Sequence, residues 1–175
     1  MKSGDAVQKA LDPETYEVRR YDPRDDLGLL LENRGNTDLA LILLHGRYGE
    51  DGSMQGLLDL LGLPYVGSGI LGSAMAMNKR IAKSVFTMEG LLVAEDVLLY
   101  RGEPYSVDEI MDRLGRSTVV KPASEGSSIG VTIGHSKEEL LKGIETAFQH
   151  DREILVEKFL SGKELTCCVL GNRSL

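Results

Sequence analysis

The chain has little cysteine, no long apolar run and no surplus of basic residues, and each shortage removes a class of function. Its only cysteines are the adjacent pair Cys167 and Cys168. Neighbours on a strand point to opposite faces, so the pair cannot clamp a metal, and a reducing cytoplasm is the simplest setting. No stretch approaches the roughly 18 apolar residues that a membrane span requires. Met1-Lys2-Ser3-Gly4 leads into a helix-like pattern and not into the apolar segment of a signal peptide. Lys and Arg number 20 against 27 Asp and Glu, a net charge of −7. That balance argues against a nucleic-acid partner or an anionic membrane surface. An anionic ligand must therefore be held locally, by a few lysines and oriented amides. The phosphate-binding pattern GxxxxGK[ST] is absent, as are internal repeats and low-complexity segments.

What is present is 175 residues of ordinary globular composition, enough for one medium domain or two small ones. Ser3 is placed to cap a helix over Asp5 to Leu11, and Thr15 to Tyr21 alternates as a strand. A polar segment, Asp22 to Asp26, precedes a leucine-rich turn of helix. Leu39 to Leu44 (LALILL) reads as a strand buried on both faces. Met54, Leu57, Leu58 and Leu61 share one face of a helix over Ser53 to Leu61, stopped by Gly62 and Pro64. A short strand (Pro64 to Val66) and a long helix (Ser73 to Glu89) follow. This alternation predicts an α/β part with a parallel, Rossmann-like sheet.

The composition changes near Met77 to Lys83. Leu91 to Tyr100 reads as a strand. Capping boxes at Ser106/Glu109 and Ser136/Glu139 open two helices, the first with Val107, Ile110, Met111 and Leu114 on its apolar face. Strands are expected from Thr118, over Ile129 to Ile133, over Glu153 to Leu160, and over Lys163 to Leu170. The result is an α+β part, with two helices on one face of an antiparallel sheet. The division is residues 1–78, 79–163 and the opening of a third unit at 164–175.

Four stretches carry chemical possibilities. Thr118 to Val131 (TVVKPASEGSSIGV) combines a strand-end lysine, Lys121, with a turn containing Ser127 and Ser128. Its residues suit either a flap over phosphates or a Gly/Ser hairpin turn beside a surface lysine. His45 to Gly52 (HGRYGEDG) lies at the carboxyl end of the buried run, where open α/β sheets bind ligands. Its histidine is equally a strand-end residue bonded to backbone. Gly67 to Gly72 matches GxGxxG, but Glu89 falls at a helix end and not at a second strand, so this is a helix-opening turn and not a dinucleotide site. Glu157-Lys158-Phe159-Leu160 with Glu164 forms a charged strand edge able to meet an adenine edge and a ribose. Lys79 alone reads as a solvated helix lysine.

HGRYGEDGSMQG, LPYVGSG, SAMAMNK, VVKPASEGSSIGV and LVEKFLSGKELT occur in this order, and in that order the chain resembles D-alanine–D-alanine ligase, a member of the ATP-grasp superfamily. The resemblance runs from Ser3 to Asn172, with one departure at Asn78, where the family usually has aspartate.

The resemblance implies a partial preATP-grasp domain followed by an ATP-grasp central domain. It implies ATP-dependent joining of two D-alanines through a D-alanyl phosphate, for peptidoglycan, in the cytoplasm. Lys79 and Lys121 are then phosphate-binding lysines, with Ser127 and Ser128 in the flap. Glu157, Lys158, Phe159, Leu160 and Glu164 become adenine and ribose contacts, while Ser127 and His45 approach the first D-alanine as the catalytic pair. Mg²⁺ or Mn²⁺ is expected, with its ligands in a C-terminal part beyond Leu175, and a homodimer is common in the family. Measured against it, Met1 falls at the first helix and Leu175 inside a strand pair. The expectation is a truncated copy or fragment without ligase activity on its own. A catalytically dead nucleotide-binding module and a D-Ala–D-Lac or D-Ala–D-Ser ligase are the alternatives.

Overall fold

A computed structural model describes residues 2–169 and Gly171. Helices α1 (Lys2–Ala10) and α2 (Leu27–Asn33) and a 3-10 turn (Arg34–Asn36) lead to strand β1 (Ala40–Leu41). Then come α3 (Ser53–Leu61), β2 (Tyr65–Val66), α4 (Ile70–Met77) and α5 (Lys79–Met88). Strands β1 and β2 are parallel, Ala40 against Tyr65 and Leu41 against Val66. Parallel neighbours need a crossover, and α3 supplies it. Left-handed Gly52 and Gly62 bracket that helix. Its Leu58 is buried with Leu30 and Leu63, flanked by Met54, Leu61, Ala40 and Ile42.

Several expectations for this part are corrected. Thr15 to Tyr21 forms no strand. Asp12 draws the Thr15 hydroxyl and Glu14 amide into a turn, and Arg20 pairs with Asp5 on α1. The LALILL strand shrinks to two residues, and none of the six is fully buried; Leu39 is 57% and Leu41 47% exposed. Among the described residues β1 has β2 as its sole partner, so nothing covers the run on both sides. Helix α1 begins at Lys2, which puts Ser3 inside it and not at its cap. The long helix is two helices broken at Asn78, whose side-chain oxygen accepts from the Ile81 amide at 3.0 Å. That N-cap bond rewards non-helical backbone at Asn78, so the chain turns there.

The rest forms one antiparallel sheet with two helices on its inner face. Its elements are β3 (Asp96–Tyr100), α6 (Val107–Leu114), β4 (Thr118–Pro122), β5 (Thr132–Gly134), α7 (Lys137–His150) and β6 (Glu153–Lys158), in sheet order β3-β6-β4-β5. Alternation along the strands decides the faces. Leu99, Val120, Ile154 and Val156 point inward to Val107, Ile110 and Leu114 of α6 and Leu140, Ile144 and Ala147 of α7. Gly143 lets α7 sit close on the sheet, since a Cβ there would lie 3.1 Å from Val120 Cγ2. Ser106 and Ser136 cap both helices, accepting from the Glu109 and Glu139 amides at 3.3 and 3.2 Å. The reciprocal bond of the second box goes one residue back, from the His135 amide to Glu139.

Strand lengths are the main differences here. Leu91 to Glu95 stays outside β3, which begins where Asp96 finds its partner Glu157. Strand β5 begins at Thr132, because left-handed backbone at Ser127, Ser128 and Gly130 keeps the preceding chain in a turn. Strand β6 ends at Lys158, two residues early. Residues 163–169 form no strand, and Leu170 lies outside the described residues. No helix among the described residues is long and apolar enough to cross a membrane.

Candidate functional site

Two loops from the two parts of the chain meet: His45 to Gly52, after β1, and Ala123 to Gly130, between β4 and β5. Their approach is through backbone. A Cβ on Gly126 would sit 3.5 Å from Gly46 Cα and 3.6 Å from Glu50 Oε2. Among the described residues, the non-glycine positions with positive φ are Tyr48 (69°), Ser127 (51°) and Ser128 (60°), all in these loops. Left-handed backbone costs L-residues about 1–2 kcal/mol each, and such strain concentrates at functional sites.

The first loop is held from within. Glu50 accepts from the Gly46 amide at 2.5 Å, and Asp51 from the amides of Tyr48 and Ser53 at 2.9 and 3.0 Å. Burial pushes the Asp51 carboxyl up, but the bonds from Tyr48 and Ser53 outweigh it and leave its pKa below the usual value. Buried Gln55 reaches back from α3 to the Gly49 carbonyl at 3.1 Å. His45 is exposed, with Nε2 3.4 Å from Ser3 Oγ on α1.

The second loop is anchored at both roots. Asp151 accepts from the Ser124 amide at 2.8 Å, and Asn78 Nδ2 donates to Ser124 Oγ at 3.1 Å. At the other root a Cβ on Gly130 (φ 68°) would fall 2.7 Å from His150 Cδ2. Ser127 and Ser128 lie exposed at the tip.

Two lysines come together under this loop. The break at Asn78 makes Lys79 the first residue of α5 and not a mid-helix lysine. Its amide donates to the Ala123 carbonyl at 2.8 Å and its Nζ to the Glu125 carbonyl. Burial, and then the positive charge of Lys121, lower the Lys79 pKa; Asp151, Glu125 and Glu157 partly oppose them. Lys121 points from the outer face of β4 to Glu157 Oε2 at 2.5 Å. Glu157, itself only 7% exposed, is the anionic floor beneath both.

The strand end carrying Lys158, Phe159 and Leu160 is partly committed to the sheet. The Lys158 and Phe159 amides donate to the carbonyls of Glu95 and Ser117, at 2.9 and 3.0 Å. The Phe159 ring meets His135 edge to face at 5.9 Å. Leu160 and Glu164 lie exposed beyond it, and among the described residues Glu164 has no ion pair with either lysine. Lys83, outside the residues that the sequence motifs single out, pairs with both Asp96 and Glu157. Its signal was available: four residues after Lys79, it shares that residue's helix face.

A cleft of about 440 Å³ lies beside this cradle, lined by residues including Arg47, Asp51, Asn78, Ser124 and Asp151 but by neither Lys79 nor Lys121. Among the described residues no three His, Cys, Asp or Glu side chains converge as a metal site.

This arrangement has close counterparts. The family models described as "D-ala D-ala ligase N-terminus" and "D-ala D-ala ligase C-terminus" match residues 25–68 and 86–175. The D-alanine–D-alanine ligase of Syntrophobacter fumaroxidans is 50% identical over the whole chain, and that of Desulfotalea psychrophila 47%. The chain spans 56% and 55% of their lengths, a little over half. Among solved structures, a D-alanine–D-alanine ligase from Bacillus anthracis superposes with a TM-score of 0.80 at 40% identity, covering 92% of this chain and 52% of that one. The same enzyme complexed with ATP gives 0.79 at 38% identity, covering 91% and 53%. With family models matched on both of its parts and an ATP-grasp fold shared with these structures, the chain belongs to the D-alanine–D-alanine ligase family.

Proposed function

We propose that the chain supplies the nucleotide cradle and first-substrate loop of an ATP-dependent ligase that joins two D-alanines. The observation that carries this is the convergence of Lys79 and Lys121 beneath a serine–glycine loop anchored at both ends. Phosphoryl transfer needs positioning and charge neutralisation more than covalent help from the protein, and two ammonium groups with a pliant cover suit that need. Lys79 and Lys121 grip the phosphates, and Ser127 and Ser128 close over them. The strand end at Lys158, Phe159 and Leu160 lies along the adenine edge, Glu157 beneath it, and Glu164 accepts from ribose hydroxyls. Because the Lys158 and Phe159 amides are engaged in the sheet, the Leu160 amide is the next donor for adenine. His45 and Ser127, on the two facing loops, approach the first D-alanine.

In this reading the γ-phosphoryl group passes to the carboxylate of one D-alanine. The amine of the second attacks the resulting acyl phosphate and phosphate leaves. The described residues do not fit a Mg²⁺ site, so the roles given are binding, charge neutralisation and orientation only. Residues 1–78 and 79–163 are taken as the two working units; the gap at 69–85 between the two family matches supports the first boundary, while the second match runs on to 175.

Titrating the purified chain with a fluorescent ATP analogue tests the cradle. Saturable binding weakened on Lys121→Ala is expected, and a folded chain with no affinity for ATP sinks the reading. Formation of D-alanyl-D-alanine from ATP and D-alanine, assayed alongside, tests the ligase chemistry.

A further inference from the structure

The outer face of the four-stranded sheet holds a charge cluster that the roles above use only in part. Asp96 and Glu157 are direct cross-strand partners on β3 and β6, two carboxylates side by side. Lys83 reaches them from α5. Its Nζ lies 2.5 Å from Asp96 Oδ1 and 3.0 Å from Glu157 Oε1, and it donates to the Ala94 carbonyl at 2.6 Å. An ammonium has three N–H donors, so all three of Lys83 are engaged, and its side chain is only 15% exposed. Lys83 is thus in no position to hold a phosphate itself.

The other oxygen of Glu157 belongs to Lys121, at 2.5 Å. Two carboxylates and two lysines therefore share one semi-buried cluster, and the division is uneven. Lys83 answers Asp96 and half of Glu157, while Lys121 answers only the remaining half. A partly buried carboxylate deprived of its cation is strongly unfavourable and pulls any remaining cation toward it.

Resting on the nucleotide reading above, we infer that Lys83 is a positioning residue for the phosphate site: by neutralising Asp96 and one oxygen of Glu157, it fixes that carboxylate and keeps the Lys121 ammonium available to phosphate. Without Lys83, Lys121, already in contact with Glu157, is the cation directly paired with these acids and is drawn down into the sheet, while Lys79 stays bonded to the Glu125 carbonyl.

The test compares the chain with Lys83→Met, Asp96→Asn and the double variant. It measures ATP and adenosine binding by calorimetry, thermal melting, and the NMR signal of the Lys121 ammonium, assigned by its loss in Lys121→Arg. Lys83→Met is expected to weaken ATP about tenfold, with adenosine changed less than about twofold, since only phosphates use Lys121. The Lys121 signal moves in Lys83→Met and returns toward its original position in the double variant, which also recovers most of the ATP affinity. A role confined to fold stability lowers the melting temperature while leaving ATP affinity and the Lys121 signal unchanged; that result overturns the proposal, as does an equal loss for ATP and adenosine. If Lys83→Met fails to fold, Asp96→Asn decides. It frees Lys83 for Glu157 and should bind ATP at least as tightly as the parent chain, and weaker binding refutes the inference. Should the parent chain bind no ATP, the nucleotide reading fails by itself. The tether is then judged by the Lys121 signal alone, and one unmoved by Lys83→Met overturns it.

Discussion

The two parts of the chain are built with unequal completeness. Among the described residues the antiparallel part buries ten hydrophobic residues in one cluster, from Leu99 to Val156, whereas the parallel part buries three, Leu30, Leu58 and Leu63. The difference lies in the sheets. Four strands with two helices across one face give each inward side chain neighbours on all sides. Two strands of two residues leave the leucines around them half in water. Stability concentrates where burial is complete, and the less buried part opens first. The candidate site straddles this divide, with Lys121 and the Ala123 to Gly130 loop on the well-packed part, Lys79 on α5, which buries no residue, and His45 to Gly52 on the looser part.

The largest expected effect tests the contrast directly. Ile144→Ala, in the complete core, should cost about 2–5 kcal/mol, while Leu30→Ala should cost about half as much because its surroundings can collapse or hydrate. Urea denaturation of both variants checks this, and equal losses would erase the contrast. Next, Lys121→Ala removes a charge-assisted contact on the firm side. ATP binding should weaken roughly 10- to 100-fold, and the urea midpoint should also fall, because buried Glu157 is left with Lys83 as its direct ion-pair partner. Gly130→Ala sets a methyl group against His150 and Pro122 at a left-handed position. Destabilisation of about 1–3 kcal/mol is expected, read by thermal melting, and no change would show that the flap root is looser than its contacts imply. The smallest mutational effect is Ser136→Ala, about 1 kcal/mol from the lost α7 cap, measured the same way.

A pH series sharpens the comparison without mutation. Because burial and Lys121 depress the Lys79 pKa, this lysine loses its proton below the ordinary 10.5. ATP affinity should therefore fall as pH rises toward that value, seen by titration of the analogue. The linkage to folding has the opposite sign. In the same window the unfolded chain still holds the proton that folded Lys79 has released, so this group makes folding more favourable as pH rises toward 10.5.

The same inequality governs what was legible in the sequence. In the antiparallel part, helix caps, strand alternation and the face of α6 could be read residue by residue, because local signals and packing agree there. In the parallel part, LALILL looked like a strand buried on both sides, but burial depends on neighbours that a local pattern does not contain. Thr15 to Tyr21 alternates convincingly yet binds through Asp12, Arg19 and Arg20 instead of pairing. Asn78 was noted as a departure from the family, but its cap was missed since Met77 and Lys79 both favour helix on either side. Of the candidate site, Lys79, Lys121 and the serine-rich turn stand in the ordered motifs and the structure brings the two lysines together, though residues alone left Lys79 as a surface lysine. The i, i+4 spacing of Lys83 from Lys79 is visible in the sequence, but its carboxylate partners are not; only the pairing of β3 with β6 places Asp96 and Glu157 beneath it.

One contact at the flap has a kinetic consequence. The Lys79 ammonium donates to the Glu125 carbonyl of the serine–glycine loop itself. If Lys79 holds phosphate as proposed, the anion must first displace that oxygen, so the loop carries an internal competitor. Nucleotide capture on that reading is an exchange of acceptors, paced by how often the loop releases the ammonium.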